Sequence, residues 1–120
     1  MKQLKILLIE DNDILQLLQA KMFDSMGHST TVVSDCISAI KALEGHAFDI
    51  ILMDINLPDL DGVKCTRKII SMGIQTPIIA LSGNDMASSQ KDCFDAGMSA
   101  YLEKPTNKTS FNALISELLG

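Results

Sequence analysis

Ile6-Leu7-Leu8-Ile9 runs straight into Glu10-Asp11, Ile50-Ile51-Leu52-Met53 into Asp54, and Ile78-Ile79-Ala80-Leu81 into Ser82. Each run is apolar at both alternating positions, the pattern of a strand covered by helices on both faces of a parallel sheet. Around these cores the strand-type segments are Lys5–Glu10, Asp49–Asp54 and Pro77–Ser82. Two more polar segments, Ser29–Val33 and Ser99–Glu103, have the composition of edge strands. Helical patterns lie between them. Ile14, Leu18, Met22 and Met26 repeat every four residues after Asn12 or Asp13 as cap, and Phe111, Leu114, Ile115, Leu118 and Leu119 form the closing stripe. Asp35, Asp61 and Asp85 are placed to cap the helices between, and Gly27, Gly45, Gly73 and Gly97 to end helices. The stretch from Met86 to Lys91 has little apolar periodicity and reads as an exposed surface helix. Strand and helix alternating about five times predicts an α/β domain with a parallel sheet. Inner first, third and fourth strands with outer second and fifth are consistent with the order 2-1-3-4-5.

The chain has 120 residues, the length of one domain, 1–120, and is 47% hydrophobic, enough for a core. Ten basic against fifteen acidic side chains leave a net charge of −5. That balance argues against nucleic acid or an anionic membrane surface as partner, and with no Trp and one Tyr there is no stacking platform for bases. Cys36, Cys65 and Cys93 are odd in number and without a C-x-x-C pair. They fit a reducing cytosol and give no support for a disulfide framework or a zinc site. The first apolar run is too short for a signal peptide or membrane span. The expectation is a small acidic cytoplasmic domain.

In a parallel sheet the strands' carboxyl ends share one edge, and ligands bind where the strand order reverses. With the order above, that crevice gathers Glu10, Asp11 and Asp54, with Ser82 and Lys104 at neighbouring strand ends. Carboxylates so crowded call for a cation, and an all-oxygen set favours Mg²⁺ or Mn²⁺. A carboxylate nucleophile, a divalent metal, an ammonium and a hydroxyl are the parts for phosphoryl transfer to an aspartate.

Glu10-Asp11, Asp54-Ile55-Asn56-Leu57-Pro58-Asp59-Leu60-Asp61-Gly62, Leu81-Ser82-Gly83 and Lys104-Pro105, in that order and spacing, resemble the response-regulator receiver domains of two-component and phosphorelay signalling. The resemblance covers essentially the whole chain and implies a flavodoxin-like, doubly wound (βα)5 fold. It makes Asp54 the phosphoacceptor, forming a 4-aspartylphosphate, and Glu10, Asp11, Asp54 and the Asn56 carbonyl the metal ligands. Ser82 would hydrogen-bond the phosphoryl group and Lys104 would pair with it. Tyr101 takes the place of a switch aromatic; as residue chemistry alone it equally suits an edge-strand cover for the last helix. Asn56 and Asn84 fall where the family tunes phosphoryl lifetime, Gly83 stands where a small residue such as Ala is usual, and Lys104-Pro105 is expected cis. The implied partner is a histidine kinase or histidine phosphotransfer protein, and the wording around Asp54 resembles the hybrid-kinase type. Any catalysis would be the domain's own phosphorylation and dephosphorylation.

Three rival readings fit these residues less well. A flavin mononucleotide carrier would need a phosphate cradle where Glu10–Asp13 would repel one. A phosphohydrolase would want a second acid at Asn56. A binding-only pseudo-receiver often lacks an acid or the lysine, and all are present here. His28 and His46 read as solvated loop residues, the methionines mostly as core filling, and Gly62 as serving loop geometry.

Overall fold

The computed structural model describes residues 3–83 and 86–119. Five strands alternate with five helices: β1 (Lys5–Ile9), α1 (Asp13–Ser25), β2 (Ser29–Val33), α2 (Cys36–Gly45), β3 (Ile50–Asp54), α3 (Gly62–Ser71), β4 (Ile78–Ser82), α4 (Met86–Ala96), β5 (Ala100–Glu103) and α5 (Lys108–Leu119). All pairings are parallel, in the order β2-β1-β3-β4-β5 that the sequence suggested. β2 and β5 are the edges.

The double-sided apolar runs divide between two cores. Leu7, Ile9, Ile51, Met53, Ile78 and Ala80 face the side packed with Ala39, Cys65, Ile69 and Cys93 of α2–α4. Ile6, Leu8, Ile50, Leu52, Ile79 and Leu81 face Phe23 of α1 and Phe111 and Ile115 of α5. The Phe23 and Phe111 rings lie 4.7 Å apart, centroid to centroid. Burying a side chain of this size contributes about 1.5–3 kcal/mol, so these two faces supply most of the drive to fold.

Local signals act where expected. Asn12, not Asp13, caps α1 by accepting from the Leu15 N–H at 3.0 Å. Asp35 accepts from Ser38 N–H and Asp61 from Lys64 N–H. Asp85 and Asn84 lie outside the described residues. Gly27, Gly73 and Gly97 have positive φ as helix-ending glycines, whereas Gly45 is simply the last residue of α2. The Lys104–Pro105 bond is cis.

Four expectations are corrected. Ile14 and Leu18 do not reach the core; with Leu17 they face solvent, while Gln19 and Phe23 are the buried residues of α1. Of the methionines, Met53 and Met98 fill the core and Met22 and Met26 pack against it as expected, but Met72 is exposed. His28 is buried rather than solvated, with Nδ1 accepting from the Leu4 N–H at 3.0 Å and its ring against Phe111. Cys36 and Cys65 form a disulfide, their Cα atoms 5.8 Å apart. Residue count and spacing could not show this, because the pairing depends on the first turns of α2 and α3 lying side by side.

Candidate functional site

The carboxyl ends of β1, β3, β4 and β5 meet on one edge of the sheet. Pairing sets their heights: Ile9 lies beside Met53, Asp54 beside Leu81 and Ser82 beside Glu103. The next residues therefore converge. Glu10 and Asp54 are buried, Asp11 is exposed, and carboxylate oxygens of all three lie within 4.8 Å of one another. Lys104 follows β5, its N–H donating to the Ser82 carbonyl at 2.8 Å. Its Nζ reaches Asp54 Oδ1 at 3.1 Å and Glu10 Oε1 at 3.4 Å. The Asn56 N–H donates to the same Asp54 Oδ1 at 3.0 Å, and the Asn12 N–H to Glu10 Oε2 at 3.2 Å.

One ammonium cannot balance three carboxylates. Two like charges ~5 Å apart repel by about 3 kcal/mol at an effective dielectric of ~20. Burial, followed by the hydrogen bond and charge of Asp54, pushes the Glu10 carboxyl from its usual 4.5 up to about 7, against the pull of Asn12 N–H and Lys104. Burial also works against the charged Lys104, but Asp54 and Glu10 outweigh it and hold the ammonium above its ordinary range. A crowd of hard oxygen donors in mutual repulsion, with Glu10 Oε1 buried and met by nothing but the 3.4 Å ion pair with Lys104, fits a hard divalent cation such as Mg²⁺. Among the described residues no other group of His, Cys, Asp and Glu converges this way.

The structure thus brings Glu10, Asp11, Asp54 and Lys104 together, places Asn56 against Asp54 through its backbone, and buries Ser82 at the adjacent strand end. Tyr101 is apart from the cluster. It is exposed on β5, its ring edge-on to Phe94 at 6.2 Å between centroids.

Sequence reasoning missed three supports. Gln16 donates its amide to the Glu10 carbonyl and to Ser34 Oγ, tying α1 to the end of β1. Asp59, passed over within the loop motif, accepts from the Cys36 and Ile37 N–H groups at 3.0 and 3.1 Å. Its slight burial works the other way, but these N–H groups hold its carboxyl below the usual value. Gly62 is needed for closeness, not for loop freedom: a Cβ there would sit 2.5 Å from the Asp54 carbonyl oxygen.

A doubly wound parallel sheet with an acid cluster and a lysine at its switch point defines a phosphoryl- or metal-handling α/β domain. A family model, the response regulator receiver domain, matches residues 6–116. The chain belongs to that family. It is 39% identical over 114 residues to the transcription factor SKN7 of Candida albicans, covering 95% of this chain and 20% of that protein. It is 32% identical over 100 residues to the sensor histidine kinase RcsC of Escherichia coli K12, covering 83% of this chain and 10% of RcsC. Among solved structures, the receiver domain of the sensor histidine kinase PA1611 from Pseudomonas aeruginosa superposes with a TM-score of 0.86 at 37% identity, covering 97% of each chain. That structure carries a magnesium ion in its active-site cleft. The chain spans a fifth or less of the curated relatives named here.

Proposed function

We propose that Asp54 accepts a phosphoryl group from a phosphohistidine of a histidine kinase or histidine phosphotransfer protein, and that the phosphorylated domain changes conformation to pass the signal on. The observation that carries this reading is the buried Asp54 carboxylate held at one oxygen by Lys104 Nζ and the Asn56 N–H. Oδ1 is committed to those donors, which leaves Oδ2 to attack phosphorus. The P–N bond to the imidazole breaks as the O–P bond forms, and the leaving imidazole takes up a proton. Lys104 follows the charge from the carboxylate onto the phosphoryl oxygens, and the Ser82 hydroxyl adds a hydrogen bond from the next strand. Glu10, Asp11, Asp54 and the Asn56 carbonyl would hold Mg²⁺, or Mn²⁺ in its place, which supplies positive charge for the phosphoryl oxygens. Water then hydrolyses the acyl phosphate, so the domain catalyses its own phosphorylation and dephosphorylation. Ile14, Leu17 and Leu18 offer a protein donor an exposed apolar contact at the start of α1, directly after the acid pair.

The 37% identity to the receiver domain of a sensor histidine kinase supports reading the chain as the receiver segment of a hybrid sensor kinase, with the cytoplasm as its proposed place. Among the described residues no helix is long and apolar enough to cross a membrane.

Lys104 is the test of the switch, because its ammonium joins the phosphoryl site to the Ser82 and Tyr101 strands. Adding Mg²⁺ and beryllofluoride, a phosphoryl mimic, should shift amide resonances around Tyr101 in the wild type and leave them nearly unmoved in Lys104→Ala. Equal shifts in both proteins would remove Lys104 from the coupling.

A further inference from the structure

We propose that Cys36 and Cys65 are a reversible thiol–disulfide site, exchanged by a dithiol protein, whose bridged form holds the phosphorylation site ready to bind its metal. The inference rests on the reading of Asp54, Glu10 and Asp11 as that site.

Cys36 opens α2 and Cys65 lies in the first turn of α3. The bond between them closes a loop across 29 positions that contains all of β3, Asp54 and the 55–61 segment. Three other ties meet at the same place. Asp59 clamps the first turn of α2 through the Cys36 and Ile37 N–H groups. Asp61 caps α3, its side chain accepting from Lys64 and its carbonyl from Cys65. Gly62 donates to the Ile55 carbonyl at 2.6 Å and rests on the backbone of Asp54 and Ile55. A shift of the first turn of α3 against α2 is therefore passed directly to Asp54 and to the Asn56 N–H that fixes it.

The fold does not need the bridge as a staple. Both faces of the sheet carry full apolar cores, and disulfides are indispensable mainly where such cores are too small. Both sulfurs are buried, so exchange requires the first turn of α2 to open. That turn carries the exposed Ile37 and is only the start of a 10-residue helix, the kind of segment that opens locally. Cys93, in the same apolar cluster, stays a free thiol, its pKa raised by burial.

In the exchange a thiolate of the reductant attacks one Sγ, the S–S bond breaks, and the other cysteine leaves as thiolate and takes a proton. The reductant's second thiol resolves the mixed disulfide. Two electrons and two protons pass to the pair, and the reductant becomes a disulfide; a disulfide oxidant runs the reverse. Once reduced, the two helices are joined only by the Asp59 clamp and packing, and the 55–61 loop has more freedom to lose when the metal is bound.

Dithiothreitol serves as the dithiol. Thiol titration of the denatured chain should find one free thiol before reduction and three after. Calorimetric titration with Mg²⁺ should give a dissociation constant roughly threefold or more higher in the reduced protein. The double variant Cys36→Ala, Cys65→Ala should match the reduced value and ignore dithiothreitol. Three free thiols in the unreduced protein would overturn the proposal. So would equal Mg²⁺ affinity in both forms with only the melting temperature changed, which would make the bond a plain structural tie. Absence of Mg²⁺ binding in either form would instead strike the metal-site reading on which the proposal stands, and the proposal with it.

Discussion

Gly62→Ala should lower the melting temperature by on the order of 10 °C, although it adds one methyl group. The new Cβ would lie 2.5 Å from the Asp54 carbonyl oxygen and 2.8 Å from Ile55 Cα, and backbone cannot step aside as a flexible side chain can. The first turn of α3 would have to lift off the end of β3, stretching the Gly62 N–H bond to Ile55. Overpacking of this kind costs about 1–3 kcal/mol, and each kcal/mol moves the midpoint of a domain near this size by several degrees. Gly45→Ala is the control. It lies in α2, has nothing within 4 Å of its added Cβ, and should leave stability level or raise it by up to about 1 kcal/mol. Thermal melts followed by circular dichroism decide the matter; similar midpoints for Gly62→Ala and the wild type would mean that α3 does not rest on the acceptor strand.

Glu10 should make the metal-free protein less stable as pH rises from about 4.5 to about 7. Its carboxyl holds a proton to higher pH in the folded chain than in the unfolded one, so in that window the folded state binds more protons and stability falls with pH. The loss approaches a plateau above pH 7, on the order of 2 kcal/mol. Buried His28 acts in the opposite direction: burial first, then the charged N-terminus, lowers its pKa, so its contribution to stability is complete above 6.5 and is lost as pH falls below that value. Comparison with Glu10→Gln separates the two, since His28 is common to both proteins. The variant should be more stable than the wild type at pH 8, with the gap closing by pH 4.5, and it should gain little from Mg²⁺. A ligand that binds only the folded state stabilises by mass action, and the variant has lost one carboxylate of the set. Denaturant melts at pH 4.5, 6 and 8, with and without Mg²⁺, check this; a constant difference across pH would contradict the proposed penalty on ionising Glu10.

Much of this was legible in the sequence because parallel strands buried on both faces leave a two-sided apolar signature. Ile50–Met53 is apolar on both alternating faces, its place in the strand–helix alternation makes it a covered strand, and its termination at Asp54 puts a carboxylate on the sheet edge. Four residues, Glu10, Asp11, Asp54 and Lys104, could be assembled from strand order alone. What stayed hidden depends on neighbours remote in the chain. Ile14 and Leu18 have helical spacing, but which face of α1 meets the sheet is decided by Phe23 and Gln19. His28 follows a glycine like many surface residues, yet the Leu4 N–H and the Phe111 ring enclose it. Cys36 and Cys65 are 29 positions apart, and only the packing of α2 on α3 makes them partners. Asp59 was hidden for the same reason: the N–H groups it accepts from, those of Cys36 and Ile37, lie 23 and 22 positions away, and no local spacing points to them.

The central claim is that Asp54 is the residue that takes the phosphoryl group. Incubation with acetyl phosphate and Mg²⁺, followed by mass mapping of the proteolysed chain, tests it most directly. The account predicts one phosphoryl group per chain, on the peptide containing Asp54, labile as an acyl phosphate is, and no label in Asp54→Asn. Full labelling of that variant, or a phosphoryl group mapped to another residue in the wild type, would contradict it.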